Sequence, residues 1–501
     1  MALRWNRSVC TAMICFGVWF TLSAHGFASD TTHSTIDFGR TAQNTPNPVT
    51  VQQRGKAPAV TKPVLQTKPT KQAKQTRQTK TAADEPKPSE KSAVGKKLSE
   101  GPQIKVGLFR TQHPIRLTVK GNILVRDGVS GRELQKLTAG NTVQVQVKNG
   151  KIILGQTSLN ISLLEFAASS AKERENILLA ADGKPYRGSL LLKLSGNEIS
   201  VINELPLDAY LYGVVPEEMP AAWPLEALKA QTVAARTFAV FHGGRHIRDG
   251  YDICADTHCQ VYGGAAAEKP ASTAAVDATR GMVLYSAGKP IDAFFHTDSG
   301  GMTENSEDVW GTYYPYLRAA REDNLKTGPW QVKYTVPELQ LKLNEAGYMP
   351  GILKKIELTP LVIGHAAADR SASGRVQIIK FFGTKGVSTL TGNELRKLLG
   401  LKSTLFDVRL EKPAIQSIKA DMGFQKKKIS VNLPDEEERN LSLDKIHVLS
   451  GREGESIVIF GYGWGHGLGL SQWGAKDLAA HMGYQEILAH YYQNTELKKL
   501  Y

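Results

Sequence analysis

The chain has 501 residues, 41% of them hydrophobic, and a formal net charge of +14; that length accommodates roughly two or three domains with real cores. The charge is not spread over a folded surface, because Val51–Lys97 alone carries twelve Lys/Arg against three Asp/Glu. This removes the case for a basic nucleic-acid-binding domain, and beyond residue 28 no stretch is long and apolar enough to read as a membrane span.

At the N-terminus, Arg4 and Arg7 precede an apolar run from Val9 to Ala24, followed by Gly26-Phe27-Ala28. The run is short for a bilayer span, so residues 1–28 read as an export signal cleaved after Ala28, in preference to an uncleaved anchor. Residues 29–100 read as a basic linker: "TKPVLQTKPTKQAKQTRQTK" is rich in Thr, Lys, Gln and Pro and has too little apolar surface to fold. Its positive charge suits electrostatic contact with an anionic cell envelope. Cys10 and Cys15 leave with the signal, so Cys254 and Cys259 remain, in an exported and oxidising setting.

Residues 101–200 predict a β-rich subdomain. "IKVGL", "IRLTV", "TVQVQV", "GKIIL" and "LLLKL" are short segments with period-two alternation, punctuated by Gly and Asn. The remaining core, 201–501, mixes strands with helices, and the fold class is α+β. Pro224 opens a long helix, "LEALKAQTVAARTFAVFH", which Gly243-Gly244 stops. A hairpin turning at Ala287-Gly288-Lys289 follows. Residues 330–450 form an insertion-like α/β segment, with helices at "PELQLKLNEAG" and "GNELRKLLG" and strands at "RVQIIKFFG" and "KIHVLS". A helix over Glu486–Tyr492 is expected to close the chain.

Four stretches could carry chemistry. Glu217 and Glu218 fall in a proline-bounded loop before the long helix, beside Met219, Pro220 and Trp223. Apolar burial raises a carboxyl above its reference pKa of ~4.3, as a general acid requires, whereas a helix N-terminus favours the anion. In "CADTHCQVYGG", Cys254, His258 and Cys259 could ligate zinc with His246 or His242 as fourth ligand, or the two cysteines could form a disulfide. Ser299 in "FFHTDSGGMTEN" lacks the turn of a nucleophile and reads as a strand ending at Gly300-Gly301. Finally, "GYGWGHGLGLSQWGA" places glycine at 461, 463, 465, 467 and 469. If extended, it presents bare backbone on one face and Tyr462, Trp464, His466 and Leu468 on the other, a surface for a flat polymer.

The blocks "VVPEEMPAAWPLEALKAQTVAARTFA", "CQVYGG…ATRGMVLYSAGKPIDAFFHTDSGGMTEN" and "GWGHGLGLSQWGAKDLAAHMGYQEILAHYYQNTEL" occur in this order. Together they resemble the family of stage II sporulation protein D and the amidase enhancer LytB, from about Ile104 to the C-terminus. The resemblance implies an exported peptidoglycan lytic transglycosylase cleaving bonds between N-acetylmuramic acid and N-acetylglucosamine, especially in strands stripped of stem peptides. The alternative it carries is a non-catalytic, glycan-binding amidase enhancer; a zinc-dependent hydrolase is a third reading. The family's catalytic glutamate, which precedes Met-Pro, maps onto Glu218. Trp223, Tyr462, Trp464, His466 and Gln472 are the candidates for contact with glycan. The chemistry needs no cofactor; a zinc ion described in some relatives points to Cys254, His258 and Cys259 as structural ligands. A cell-wall amidase is an implied partner, and the periplasm or cell envelope the implied location.

Overall fold

The computed structural model describes residues 101–170, 177–322, 327–411 and 445–501. The signal-peptide and linker readings lie outside them.

The chain is α+β, as its patterning predicts. Between Gln103 and Pro206, alternating strands build two sheets of antiparallel pairs. The long strands Gln103–Thr111 and Glu198–Pro206 lie side by side in the larger one. That sheet also takes in Ile253–Cys254, which pairs in parallel with Val106 and Gly107 at its edge. A residue far along the chain is thereby fixed against the first strand.

Helix α1, Leu207–Glu218, follows directly, so Glu217 and Glu218 end a helix rather than occupy a loop. Proline disfavours helical backbone in the residue before it, and Pro216 with Pro220 makes the segment read as irregular. Burial overrides that local preference: every residue from Leu207 to Val215 is buried, and Asp208 accepts hydrogen bonds at 3.0 and 2.8 Å from the fully buried Arg236 guanidinium. All-round burial also leaves no amphipathic stripe to detect. Helix α2, Leu225–Phe241, runs as expected, with Pro224 at its N-cap. Its small residues let two cores approach it: Ala227, Leu228, Ala235 and Ala239 join the core of the β-rich part. Ala230, Val233 and Ala234 join a second core with Ala475, Ile487 and Tyr491.

Helix α3 spans Pro270–Ala278 and α4 Ser306–Trp310. The hairpin turns through Ala287 and Gly288, both at positive φ (49° and 76°), but its return strand is only Lys289–Pro290. Helices α5 (Val336–Glu345) and α6 (Gly392–Leu399) each start in a capping box, from Thr335 and Thr391, and pack with strands from Trp330 to Ile459 around a third core. Helix α7 is Gln472–Leu478 and α8 Tyr484–Tyr491. The chain does not close on α8: Glu496–Lys499 adds a strand antiparallel to Met282–Tyr285. Among the described residues, no helix is long and apolar enough to cross a membrane.

The glycine ribbon is not an extended strand. Gly463, Gly465, Gly467 and Gly469 have φ of 71°, 117°, 88° and 66°, so the two-residue period marks repeated left-handed turns of the backbone. All four also sit where nothing larger fits: a Cβ on Gly463 would lie 2.8 Å from the Asp298 carbonyl oxygen, one on Gly465 2.6 Å from the His296 Cβ, one on Gly467 2.6 Å from the Arg375 guanidinium carbon, and one on Gly469 closer still to the Phe294 carbonyl oxygen. Leu468 is buried, so it does not share an open face with Trp464. The bare backbone meets the protein itself.

Candidate active site

Helix α1 ends where the loop after Cys259, the strand Phe295–His296 and the glycine ribbon converge. They enclose an open cavity of about 470 Å³, and Glu218 is the only acidic residue lining it among those described. The Glu218 Oε1 accepts the backbone N–H of Val261 at 3.3 Å, and Gln472, at the start of α7, hydrogen-bonds the same carboxyl. Burial dominates these two contacts, with Glu217 adding like charge, and the carboxyl is pushed up from its usual value to about 7. The group therefore exchanges its proton near neutrality. Glu217 is exposed and does not line the cavity.

Of the predicted glycan contacts, Trp464, His466 and Gln472 line this cavity, whereas Trp223 and Tyr462 do not. Trp223 packs against Trp473, with ring centroids 4.9 Å apart, and Lys476 covers both rings. Trp464 exchanges backbone hydrogen bonds with Asp298, 2.8 and 3.0 Å long, while its half-exposed indole carries the Lys402 ammonium 4.9 Å from the ring centre. The His466 ring is held by backbone: its Nδ1 accepts the Leu468 N–H at 3.0 Å, and the Phe295 main chain also bonds it. Burial, with the charges of Arg375 and Arg396, pushes His466 down to about 3, so it is a neutral wall.

Sequence reading passed over several lining residues. Phe294 and Trp310 meet edge-on at 4.5 Å beside His466. His296, nearly fully buried, donates from Nδ1 to the Leu468 carbonyl at 3.1 Å, and its Nε2 has no partner among the described residues. Arg245 and Arg396 bring positive charge. These residues lie far apart in the chain and carry no shared motif; the "FFH" that precedes Thr297 was the one available signal. Ser299 is fully buried, its Oγ accepts the Gly301 N–H at 3.0 Å, and it does not line the cavity.

At one edge of the site, the donor atoms of His246, Cys254, His258 and Cys259 all lie within 4.8 Å of one another. The Cys254 sulfur is 3.5 Å from His258 Nδ1, and the Cys259 sulfur is 3.5 Å from His246 Nε2 and 3.6 Å from His258 Nδ1. Tetrahedral zinc, with Zn–S of about 2.3 Å and Zn–N of about 2.0–2.1 Å, requires sulfur–nitrogen separations of ~3.6 Å. The four residues fit that ion. The two thiols are free, not joined in a disulfide, and His242 is not part of the group, since its Nε2 pairs with Asp292 at 2.9 Å.

A family model described as SpoIID, stage II sporulation protein, matches residues 195–285, which contain Glu218 and all four cluster residues. The chain is 30% identical over 376 residues to the amidase enhancer of Bacillus subtilis, covering 72% of this chain and 50% of that protein, so it spans half of that relative's length. It is 28% identical over 353 residues to stage II sporulation protein D of Bacillus subtilis, covering 64% of this chain and 84% of that one. The Bacillus amyloliquefaciens stage II sporulation protein D is 28% identical over 317 residues, covering 60% and 76%.

Proposed function

Because the chain belongs to the family of stage II sporulation protein D and the amidase enhancer, we propose that it is an exported lytic transglycosylase. Its substrate is the glycan strand of peptidoglycan in the cell envelope, stripped of stem peptides by a cooperating amidase. The observation that carries this reading is a single half-buried carboxyl, Glu218, pushed up by burial to about 7 in the wall of an open cavity that has no second acid among the described residues. Hydrolytic glycosidases generally use two carboxyl groups, about 5–9.5 Å apart, one of them to attack the sugar or activate water.

A lytic transglycosylase needs one. Protonated Glu218 donates to the glycosidic oxygen as the bond from that oxygen to C1 of the muramic residue breaks. The muramic C6 hydroxyl attacks C1 and gives its proton to the Glu218 carboxylate, restoring the acid. The products are a 1,6-anhydromuramyl end and an N-acetylglucosamine end with a free 4-hydroxyl, and no water is consumed. The sugar supplies its own nucleophile. Trp464 and Trp310 offer aromatic surface to the sugar rings, and the two histidines wall the cavity.

Zinc held by His246, Cys254, His258 and Cys259 supplies a structural cross-link when bound, because four protein ligands close its coordination sphere. That favours a structural ion over the zinc-dependent hydrolase. The cross-linked loop continues through Gln260, which Tyr210 bonds at 3.2 Å and which itself bonds the Ala235 carbonyl at 3.2 Å, to the Val261 N–H that meets Glu218.

The test is mass spectrometry of peptide-free glycan strands after incubation with the protein. Release of anhydromuramyl products by the wild type, with loss of about a hundredfold or more in Glu218→Gln while strand binding persists, supports the reading. Wild-type protein that binds strands and releases nothing makes it a binding module.

A further inference from the structure

Besides Glu218, the charged residues lining the cavity are two arginines, and among the described residues neither makes an ion pair with a carboxylate. Arg245 is exposed, in the turns after α2. Arg396 projects from α6, is partly buried, and uses one of its five N–H donors, with Nε giving to the Leu401 carbonyl at 3.2 Å. Its charge is felt at His296, His466 and the buried Arg375, which places it against the inner wall rather than in bulk water. A partly buried cation without a counter-ion is costly, and an anion bound beside it offsets that cost. Glu218 does not serve: it titrates near neutrality and is bonded to Val261 and Gln472.

N-acetylglucosamine carries no ionisable group. N-acetylmuramic acid carries one, the lactyl carboxyl on O3, which is a neutral amide while the stem peptide is attached and a carboxylate once that amide is cut. We propose that Arg396, assisted by Arg245, binds the freed lactyl carboxylate, and that this pairing makes the cavity select strands without peptides. A guanidinium fork meets a carboxylate in two parallel hydrogen bonds, a match that an amide cannot supply. This rests on the cavity being the glycan site.

The experiment compares peptide-free strands with the same strands whose lactyl carboxyls are capped as methylamides, reading both cleavage and strand binding. The wild type is expected to prefer the free acid by roughly tenfold or more, as a charge-assisted pair implies. In Arg396→Gln that preference falls below about twofold, and Arg396→Lys, which keeps the charge but not the fork, lies between. Arg245→Gln, at an exposed position, should narrow the preference and reads the same effect if Arg396→Gln does not fold. A wild type indifferent to the cap overturns the proposal, as does an Arg396→Gln variant that is slower yet retains the full preference. If no anhydro product forms from either strand, the transglycosylase reading fails, and the same preference read in strand binding still decides this one.

Discussion

The backbone N–H of Val261 lies 3.3 Å from Oε1 of Glu218, two positions beyond Cys259. The acid at the end of α1 thus meets the loop that carries the cysteine–histidine group. Purified protein should carry about one zinc per chain, and Cys254→Ser should release it. Loss of the ion is expected to lower Tm by about 5 °C or more and to reduce turnover with it, read by metal analysis and circular dichroism. Full activity in metal-free protein contradicts the structural role.

The pH profile follows from the raised carboxyl. In the proposed reaction Glu218 begins the cycle protonated, so kcat/KM should be high on the acid side and fall as pH rises through about 7. A profile flat from pH 6 to 9 would show that this proton is not the one transferred.

Stability should move the same way. The folded state holds the Glu218 proton more tightly than the unfolded chain, so stability falls as pH rises from 4.5 to about 7 and then levels. Glu322, bonded to the Tyr491 hydroxyl at 2.9 Å and also pushed up to about 7, adds to the slope. Glu218→Gln removes its own share: the variant should be about 1–3 kcal/mol more stable than wild type at pH 8 and indistinguishable at pH 4. Denaturant unfolding at the two pH values measures this.

Substitution in the ribbon separates backbone conformation from packing. Gly467→Ala imposes positive φ on alanine and drives its Cβ to 2.6 Å from the Arg375 guanidinium, which is anchored to the Ser299 carbonyl at 2.8 Å. It should cost about 2–4 kcal/mol. Gly451→Ala, at φ 71° with nothing within 4 Å, meets the backbone penalty alone and should cost about 1 kcal/mol. Equal losses in chemical denaturation would mean that Arg375 yields to the added methyl.

The two tryptophans are expected to part. Trp464→Ala should raise KM by roughly tenfold, because its half-exposed ring lines the cavity. Trp223→Ala removes a contact with Trp473 outside it, so it should lower Tm while KM stays within about twofold. Steady-state kinetics on peptide-free strands distinguishes them.

The sequence alone settled what local pattern can settle. Period-two segments such as Ile115–Val119 became strands, the Ala-rich run became α2, and the blocks around Glu218 and the ribbon carried the resemblance to the family, the first of them inside the matched residues 195–285. It misread α1, because prolines argue locally for a loop whereas burial from Leu207 to Val215 stabilises a helix. It misread the ribbon, because a strand and a chain of left-handed glycines share a two-residue period and differ only in φ. Only tertiary structure separated His246 from His242 as the fourth donor, moved Trp223 and Tyr462 away from the cavity, and brought in His296 and Arg396. The reason is one of range: hydrogen bonding and patterning act over a few residues, whereas ligand geometry, desolvation and cavity charge arise from groups that meet only once the cores have closed.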